Sequence, residues 1–204
     1  MAKLLVYYAH PGHKYSRVNK AMAHTAAEHP SLTFCDLYAE YPRFIINIDI
    51  EQERLLNHDV IIFQHPLFWY STPSLVKEWT DLVLEHGFAF GAGGNKLTNK
   101  IMMNAITAAG PQNAYTEEGY QHYPLRTFLT PMEQTARLCH MNYAAPYVLY
   151  SALTVGEDTE IPKHVKGYKS MLDAICNDTF DFERAFSADI ITHHTITEFI
   201  GNSP

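Results

Sequence analysis

Three stretches of the chain carry side chains that could do chemistry together. The first, His10-Pro11-Gly12-His13-Lys14-Tyr15-Ser16-Arg17-Val18-Asn19, follows a wholly apolar run and precedes a helical pattern. A loop of that kind offers unpaired N–H groups and the positive end of a helix dipole, which suits a phosphate. Arg17 and Lys14 would add charge and Ser16 a hydroxyl donor, and Ser16 is also a good N-cap. On this loop alone, an ordinary strand-to-helix turn reads equally well. The second stretch opens with Gln64, His65 and Pro66, exposes Leu67, Phe68, Trp69 and Tyr70, and closes with Ser71, Thr72 and Pro73 where a helix should start. Large apolar side chains are poor loop chemistry unless they bind something, and a flat, apolar, hydrogen-bonding ligand would account for them. The third, Thr107-Ala108-Ala109-Gly110-Pro111, is small enough for backbone to approach a ligand closely. Tyr115, Tyr120 and His122 follow it.

Several chemistries are excluded by spacing. Neither GxGxxG nor GxxxxGK[ST] occurs, so a mononucleotide phosphate fits the first loop better than a dinucleotide or a P-loop substrate. His10 and His13 stand three apart, but no carboxylate or cysteine cluster accompanies them and no metal is expected. None of Cys35, Cys139 and Cys176 has an arginine six residues on, as a tyrosine phosphatase requires. A response regulator needs aspartates where His10 and Gln64 stand.

The elements that must position these loops are short apolar runs alternating with helical patterns. Strands are expected at Lys3 to Ala9, Leu32 to Leu37, Val60 to Phe63, Lys100 to Thr107 and Tyr143 to Tyr150, each apolar as in a parallel sheet covered on both faces. Helices are expected after Ser16, from an Asp49 cap through Leu56, over Ser74 to His86 with Trp79 in the core, over Pro124 to His140, and over Ile161 to Cys176. Right-handed crossovers then give an α/β, doubly wound, five-stranded parallel sheet of order 2-1-3-4-5, whose ligand sits at the switch point between strands one and three. The loops after strands one, three and four converge there. Gly87 to Asn95 is expected to be mobile. The tail from Phe180 is not needed to complete the sheet, and its His193 and His194 are expected to be solvent-exposed and without function.

Composition agrees with one compact domain: 204 residues, 47% hydrophobic and 18% charged. A net charge of -7 and the lack of a basic cluster argue against nucleic acid. Widely spaced cysteines, no CxxC, no signal-peptide pattern and no long apolar span make the cytoplasm the expected location.

The residues His10, Ser16 to Asn19, Gln64 to Ser71 and Gly87-Phe88-Ala89-Phe90-Gly91 resemble the flavodoxin-like NAD(P)H:quinone oxidoreductases, the DT-diaphorase family. They are most similar to its small bacterial branch, which includes general-stress oxidoreductases and ancillary subunits of glutathione-gated potassium efflux systems. The likeness implies a flavodoxin-like domain over 1–177, with 178–204 as its C-terminal extension. It also implies FMN, with FAD as the alternative, and NAD(P)H as co-substrate. Ser16, Arg17, Val18 and Asn19 would hold the flavin phosphate, with His10 near the phosphate or ribityl chain. Pro66, Leu67, Phe68 and Trp69 would line the ring, and Thr107, Ala108, Ala109 and Gly110 would complete its site. The last loop often reads Thr-Thr-Gly-Gly in the family, so Ala108 and Ala109 depart from the pattern. Tyr115 and His122 would stabilise the reduced ring, His122 standing about one position off the family's spacing.

The implied reaction is two-electron, ping-pong transfer from NAD(P)H through the flavin to a quinone. Family members are homodimers with shared active sites, a role that would suit Tyr38 to Phe44 and the segment near Phe88. The alternatives are a flavin-binding regulatory subunit of a potassium efflux system, held at the inner membrane by that partner, and a flavodoxin-type electron carrier.

Overall fold

The computed structural model describes residues 1–156 and 159–201. Strands β1 (Leu4–Tyr8), β2 (Leu32–Asp36), β3 (Val60–Pro66) and β4 (Ile101–Thr107) form a parallel sheet ordered β2-β1-β3-β4. The fifth position is shared by two pieces, β5 (Asn142–Tyr143) and β6 (Tyr147–Leu149), both parallel to β4. The split has a local cause. The register runs Ile101 with Asn142 but Ala105 with Tyr147, so one extra residue is accommodated between them. Pro146 has no N–H to give, and the Ala145 N–H donates to Ala185 O instead (2.9 Å).

Helices cover both faces, as the buried apolar runs require. On one face α1 (Val18–Ala27) and α6 (Glu160–Cys176) pack Met22, Tyr168, Met171 and Leu172 on Leu4, Val6, Val60, Ile62 and Met103. On the other, α3 (Ile48–Asn57), α4 (Ser74–Val83) and α5 (Thr130–Leu138) pack Leu55, Val76, Trp79 and Ala136 on Leu5, Tyr7, Ile61, Phe63 and Met102. A four-residue helix, α2 (Leu37–Glu40), follows β2 because the Asp36 carboxylate accepts the N–H groups of Tyr38 and Ala39. It ends the second strand one residue earlier than its apolar run suggests.

That second face encloses a charge. Glu51 is fully buried and accepts from the Tyr7 hydroxyl (2.5 Å), the Tyr41 hydroxyl (2.6 Å) and the Trp79 indole N–H (2.9 Å). Arg54 pairs with it and with Glu40 (2.6 Å). Burial and then the carboxylate raise the Tyr7 hydroxyl well above its ordinary pKa, so Tyr7 remains a donor.

Several sequence expectations need correcting. Ser16 does not cap α1: the cap position is Arg17, no side chain among the described residues caps the helix start, and Ser16 instead ends a 3-10 turn over His13–Tyr15. Asn47, not Asp49, caps α3, its Oδ1 accepting from Ile50 N–H (3.2 Å), while Asp49 lies in the first turn. The helix expected over Pro124 to His140 is a 3-10 turn, Leu125–Leu129, followed by α5. The Gly87 to Asn95 segment is tied into turns, with Gly87 N–H on Phe90 O (2.8 Å) and Ala89 fully buried. The tail also joins the body: Phe180, Ile191, Ile196 and Phe199 belong to the first core face, and Ile191 pairs in parallel with Tyr147 along the outer edge of β6.

Candidate functional site

β3 continues through Gln64, His65 and Pro66, three residues beyond its apolar run, because their polar groups are satisfied inside the fold. Gln64 donates to Asn19 O (2.9 Å) and accepts from the Tyr168 hydroxyl (3.1 Å). The Tyr143 hydroxyl donates to Asn104 Oδ1 (2.7 Å), which turns the Asn104 amide nitrogen toward His65 Nε2 (3.0 Å). That nitrogen must therefore accept, and His65 Nδ1–H donates to the Pro66 carbonyl (3.0 Å). The network fixes the exit of β3, and His65 lies beneath the next loop, fully buried.

Burial lowers the His65 pKa to about 4. An unfolded histidine titrates near ~6.5, so the unfolded chain takes up the proton first as pH falls. Stability carried by neutral His65 is full above that value and is lost between about 6.5 and 4, at about 1.4 kcal/mol per pH unit. We expect about 2 kcal/mol to be lost between pH 7 and pH 5 through this group alone. Urea midpoints of wild type and His65→Gln at both pH values measure it: the variant should start weaker and show a slope flatter by that amount. Parallel slopes would remove His65 as the cause.

Beyond Pro66 the chain makes a tight turn in which Phe68 and Ser71 exchange backbone hydrogen bonds (both 3.0 Å). The two central residues, Trp69 (φ 49°) and Tyr70 (φ 64°), are left-handed. Such positions favour Asn-Gly, and bulky aromatics there carry strain of order 1–3 kcal/mol each. Trp69 is 93% exposed, whereas Leu67 is buried and Tyr70 rests on Phe128 (5.0 Å).

The carboxyl ends of β1, β3 and β4 surround a cavity of about 750 Å³, within the usual size of a cofactor site. His10, Ser16, Arg17, Val18, Asn19, Pro66, Leu67, Phe68, Trp69, Thr107 and Ala109 line it. Gly12, Tyr15, Ala152 and Leu153 also line it, the last two on a loop that the sequence reading passed over. The missed signal is positional: that loop leaves the same end of the sheet, after β6. Arg17 holds it by donating to the carbonyls of Ala152 (3.3 Å) and Leu153 (2.8 Å).

Donors and acceptors face the cavity in a defined arrangement. α1 begins there with no side-chain cap among the described residues, and its first N–H groups, which no helix satisfies internally, point toward the cavity end of the helix. His10 Nδ1 accepts from Gly12 N–H (3.1 Å), which leaves the proton on Nε2. Burial first, then nearby His13, lowers the His10 pKa, so the ring is a neutral donor, set edge-on to Phe68 (5.5 Å). Asn19 Nδ2 donates to Thr107 Oγ1 (2.8 Å), while its buried Oδ1 has no partner among the described residues. An uncapped helix start, a neutral imidazole and an orphaned acceptor fit a ligand with an anionic tail and hydroxyl groups.

Four residues expected at the site do not line the cavity. Ala108 is fully buried and its N–H bonds Leu149 O (2.8 Å). Gly110 is covered by Tyr115 and Tyr120, whose hydroxyl would stand 2.8 Å from an added Cβ. Tyr115 is buried between Phe128 (6.2 Å) and Tyr150 (5.7 Å), beside Gly110, and burial raises its pKa. His122 is exposed with φ 61°.

Residues 2–172 match the model of a family described as having a flavodoxin-like fold. The chain belongs to this flavodoxin-like family. Within it, the chain is 43% identical over 171 residues to the glutathione-regulated potassium-efflux system ancillary protein KefG of Salmonella typhimurium, covering 84% of this chain and 93% of that protein. General stress protein 14 of Treponema denticola, solved in complex with FMN, superposes with TM-score 0.79 at 30% identity, covering 85% and 99%. A thermophilic tryptophan halogenase from Streptomycin violaceusniger superposes with TM-score 0.80 at 39% identity, covering 82% and 97%. The order β2-β1-β3-β4-β5 is that of the flavodoxin-like doubly wound sheet, whose ligands lie beyond the carboxyl ends of its strands. No helix among the described residues is long and apolar enough to cross a membrane.

Proposed function

We propose that the protein is an FMN-dependent NAD(P)H:quinone oxidoreductase. The observation that carries this reading is the cavity itself: one end is an uncapped helix start and the other an apolar aromatic loop. The amino end of α1, with Ser16, Arg17, Val18 and Asn19, would bind the phosphate. The His10 Nε2–H and the Asn19 Oδ1 would meet the ribityl hydroxyls. Pro66, Leu67, Phe68 and Trp69 would flank the ring and keep water from it, with Thr107 and Ala109 along its edge. When bound, FMN supplies two-electron transfer between NAD(P)H and a quinone in ping-pong order. FAD is disfavoured because the first loop carries no adenine-binding signal.

Tyr115 is the group proposed to hold a proton near the pyrimidine edge; it lies behind Gly110, off the cavity wall, and would have to turn toward the ring to donate. Tyr115→Phe should slow flavin reduction by NAD(P)H about tenfold, about 1.4 kcal/mol, with FMN affinity changed less. Stopped-flow traces identical to wild type would remove Tyr115 from the mechanism. His122, exposed on a turn, would need to move to act beside it.

Steady-state oxidation of NADH and NADPH with a benzoquinone, on protein loaded with FMN, tests the enzyme reading. Parallel double-reciprocal lines are expected; flavin binding without nicotinamide oxidation would favour an electron carrier. The likeness to KefG supports a second role as a cytoplasmic ancillary subunit that docks on a potassium efflux system at the membrane. A homodimer would use the aromatic segment from Tyr38 to Phe44 and the stretch near Phe88, where Phe44 is exposed.

A further inference from the structure

On the opposite side of the last strand from the sheet centre, a second cluster of titratable groups is unused by the reaction above. Glu160 opens α6, and His193 and His194 sit on a turn of the tail. The turn is fixed by its own hydrogen bonds: Thr195 N–H on Thr192 O (3.1 Å), Thr192 N–H on Thr195 Oγ1 (3.0 Å) and His194 N–H on Thr192 Oγ1 (3.3 Å). His193 is not the solvated residue expected from sequence. Its side chain is 8% exposed, with Nε2 3.1 Å from Glu160 Oε2, and its Nδ1 is buried without a partner among the described residues.

One carboxylate oxygen and one nitrogen from each imidazole lie within 4.8 Å of one another. Ligands on one tetrahedral ion at ~2.0–2.2 Å stand about 3.4 Å apart, so the His193 to Glu160 spacing already fits and small rotations bring in His194. A cavity of about 220 Å³ opens on all three residues, with room for an ion and its water. Lys163 pairs with the other oxygen, Oε1 (2.7 Å), and leaves Oε2 available. Behind the cluster, His164 is fully buried, both ring nitrogens lack partners among the described residues, and its ring meets His193 edge-on (5.8 Å).

We propose that Glu160, His193 and His194 bind a divalent transition-metal ion of the zinc class, clamping the C-terminal tail to α6. Two imidazoles and one carboxylate are a borderline donor set that suits zinc, cobalt or nickel rather than magnesium or calcium. The family match ends at residue 172, so both histidines lie outside it while Glu160 lies within it. Binding requires the tail folded against α6, so the ion should stabilise the folded state by mass action.

The test uses untagged protein stripped with chelator and titrated with zinc chloride by calorimetry, with thermal melts in parallel. One zinc per chain at low-micromolar affinity is expected, with a melting temperature that rises as zinc is added. His194→Gln, at an exposed position, should keep the fold and weaken binding at least tenfold, as should His193→Gln. His24→Gln, whose side chain pairs with Glu28 on α1, should bind as wild type does. Absence of stoichiometric zinc binding, or binding equally strong in His193→Gln and His194→Gln, would overturn the site.

Discussion

Ala109→Trp should yield a colourless protein whose affinity for FMN is at least about 100-fold below wild type, a loss of about 2.7 kcal/mol. Ala109 lies on the loop after β4, is exposed and lines the cavity wall. An indole there would occupy volume that a ring ligand needs. Because the position is exposed, the larger side chain need not enter the packed core, and the melting temperature should change little. Retained flavin affinity with an intact fold would mean that the ring binds elsewhere. The effect should also differ in kind from that of Tyr115→Phe, which is expected to act on the rate of reduction rather than on binding.

Glu51→Leu should destabilise the fold by about 3–5 kcal/mol, measured as a fall in the urea midpoint with unchanged slope. Leucine would pack against Leu55 and Trp79 well enough, but the polar partners remain. The Tyr7 hydroxyl and the Trp79 indole N–H would lose their acceptor inside the core, and Arg54 would keep Glu40 and Cys35 Sγ but lose its buried carboxylate partner. Each stranded donor costs about 1–3 kcal/mol. A loss below about 1 kcal/mol would show that water reaches the hub and that the buried carboxylate is not what joins α3 to the sheet. Glu51→Gln, which keeps the shape and half of the acceptors, should fall between wild type and the leucine variant.

Much of this architecture is written locally. β1, β3 and β4 are buried on both faces and therefore read as apolar runs, and strand order follows from the crossovers between them. The converging loops follow in turn, which is why His10, Ser16 to Asn19, Pro66 to Trp69, Thr107 and Ala109 surround one cavity. What was not legible depended on partners remote in sequence. Gln64 and His65 look like loop residues until Tyr168, Asn104 and Tyr143 are seen to satisfy them within β3. The choice of Asn47 over Asp49 as a cap turns on a difference of two positions between residues of equal capping strength. The tail carries no periodicity that announces Ile191 as an edge partner of Tyr147, or His193 as a neighbour of Glu160. The family resemblance likewise pairs His122 with Tyr115, although one is exposed and the other enclosed by aromatic rings.

The central claim is that the mouths of β1, β3 and β4 hold a flavin whose phosphate rests on the start of α1. Titration of flavin-free protein with FMN, followed by the visible absorption of the flavin, measures this directly. The account predicts saturation at one FMN per chain, a perturbed flavin band, and weaker binding of riboflavin, which lacks the phosphate. A flavin spectrum unchanged by excess protein, or riboflavin bound as tightly as FMN, would contradict it.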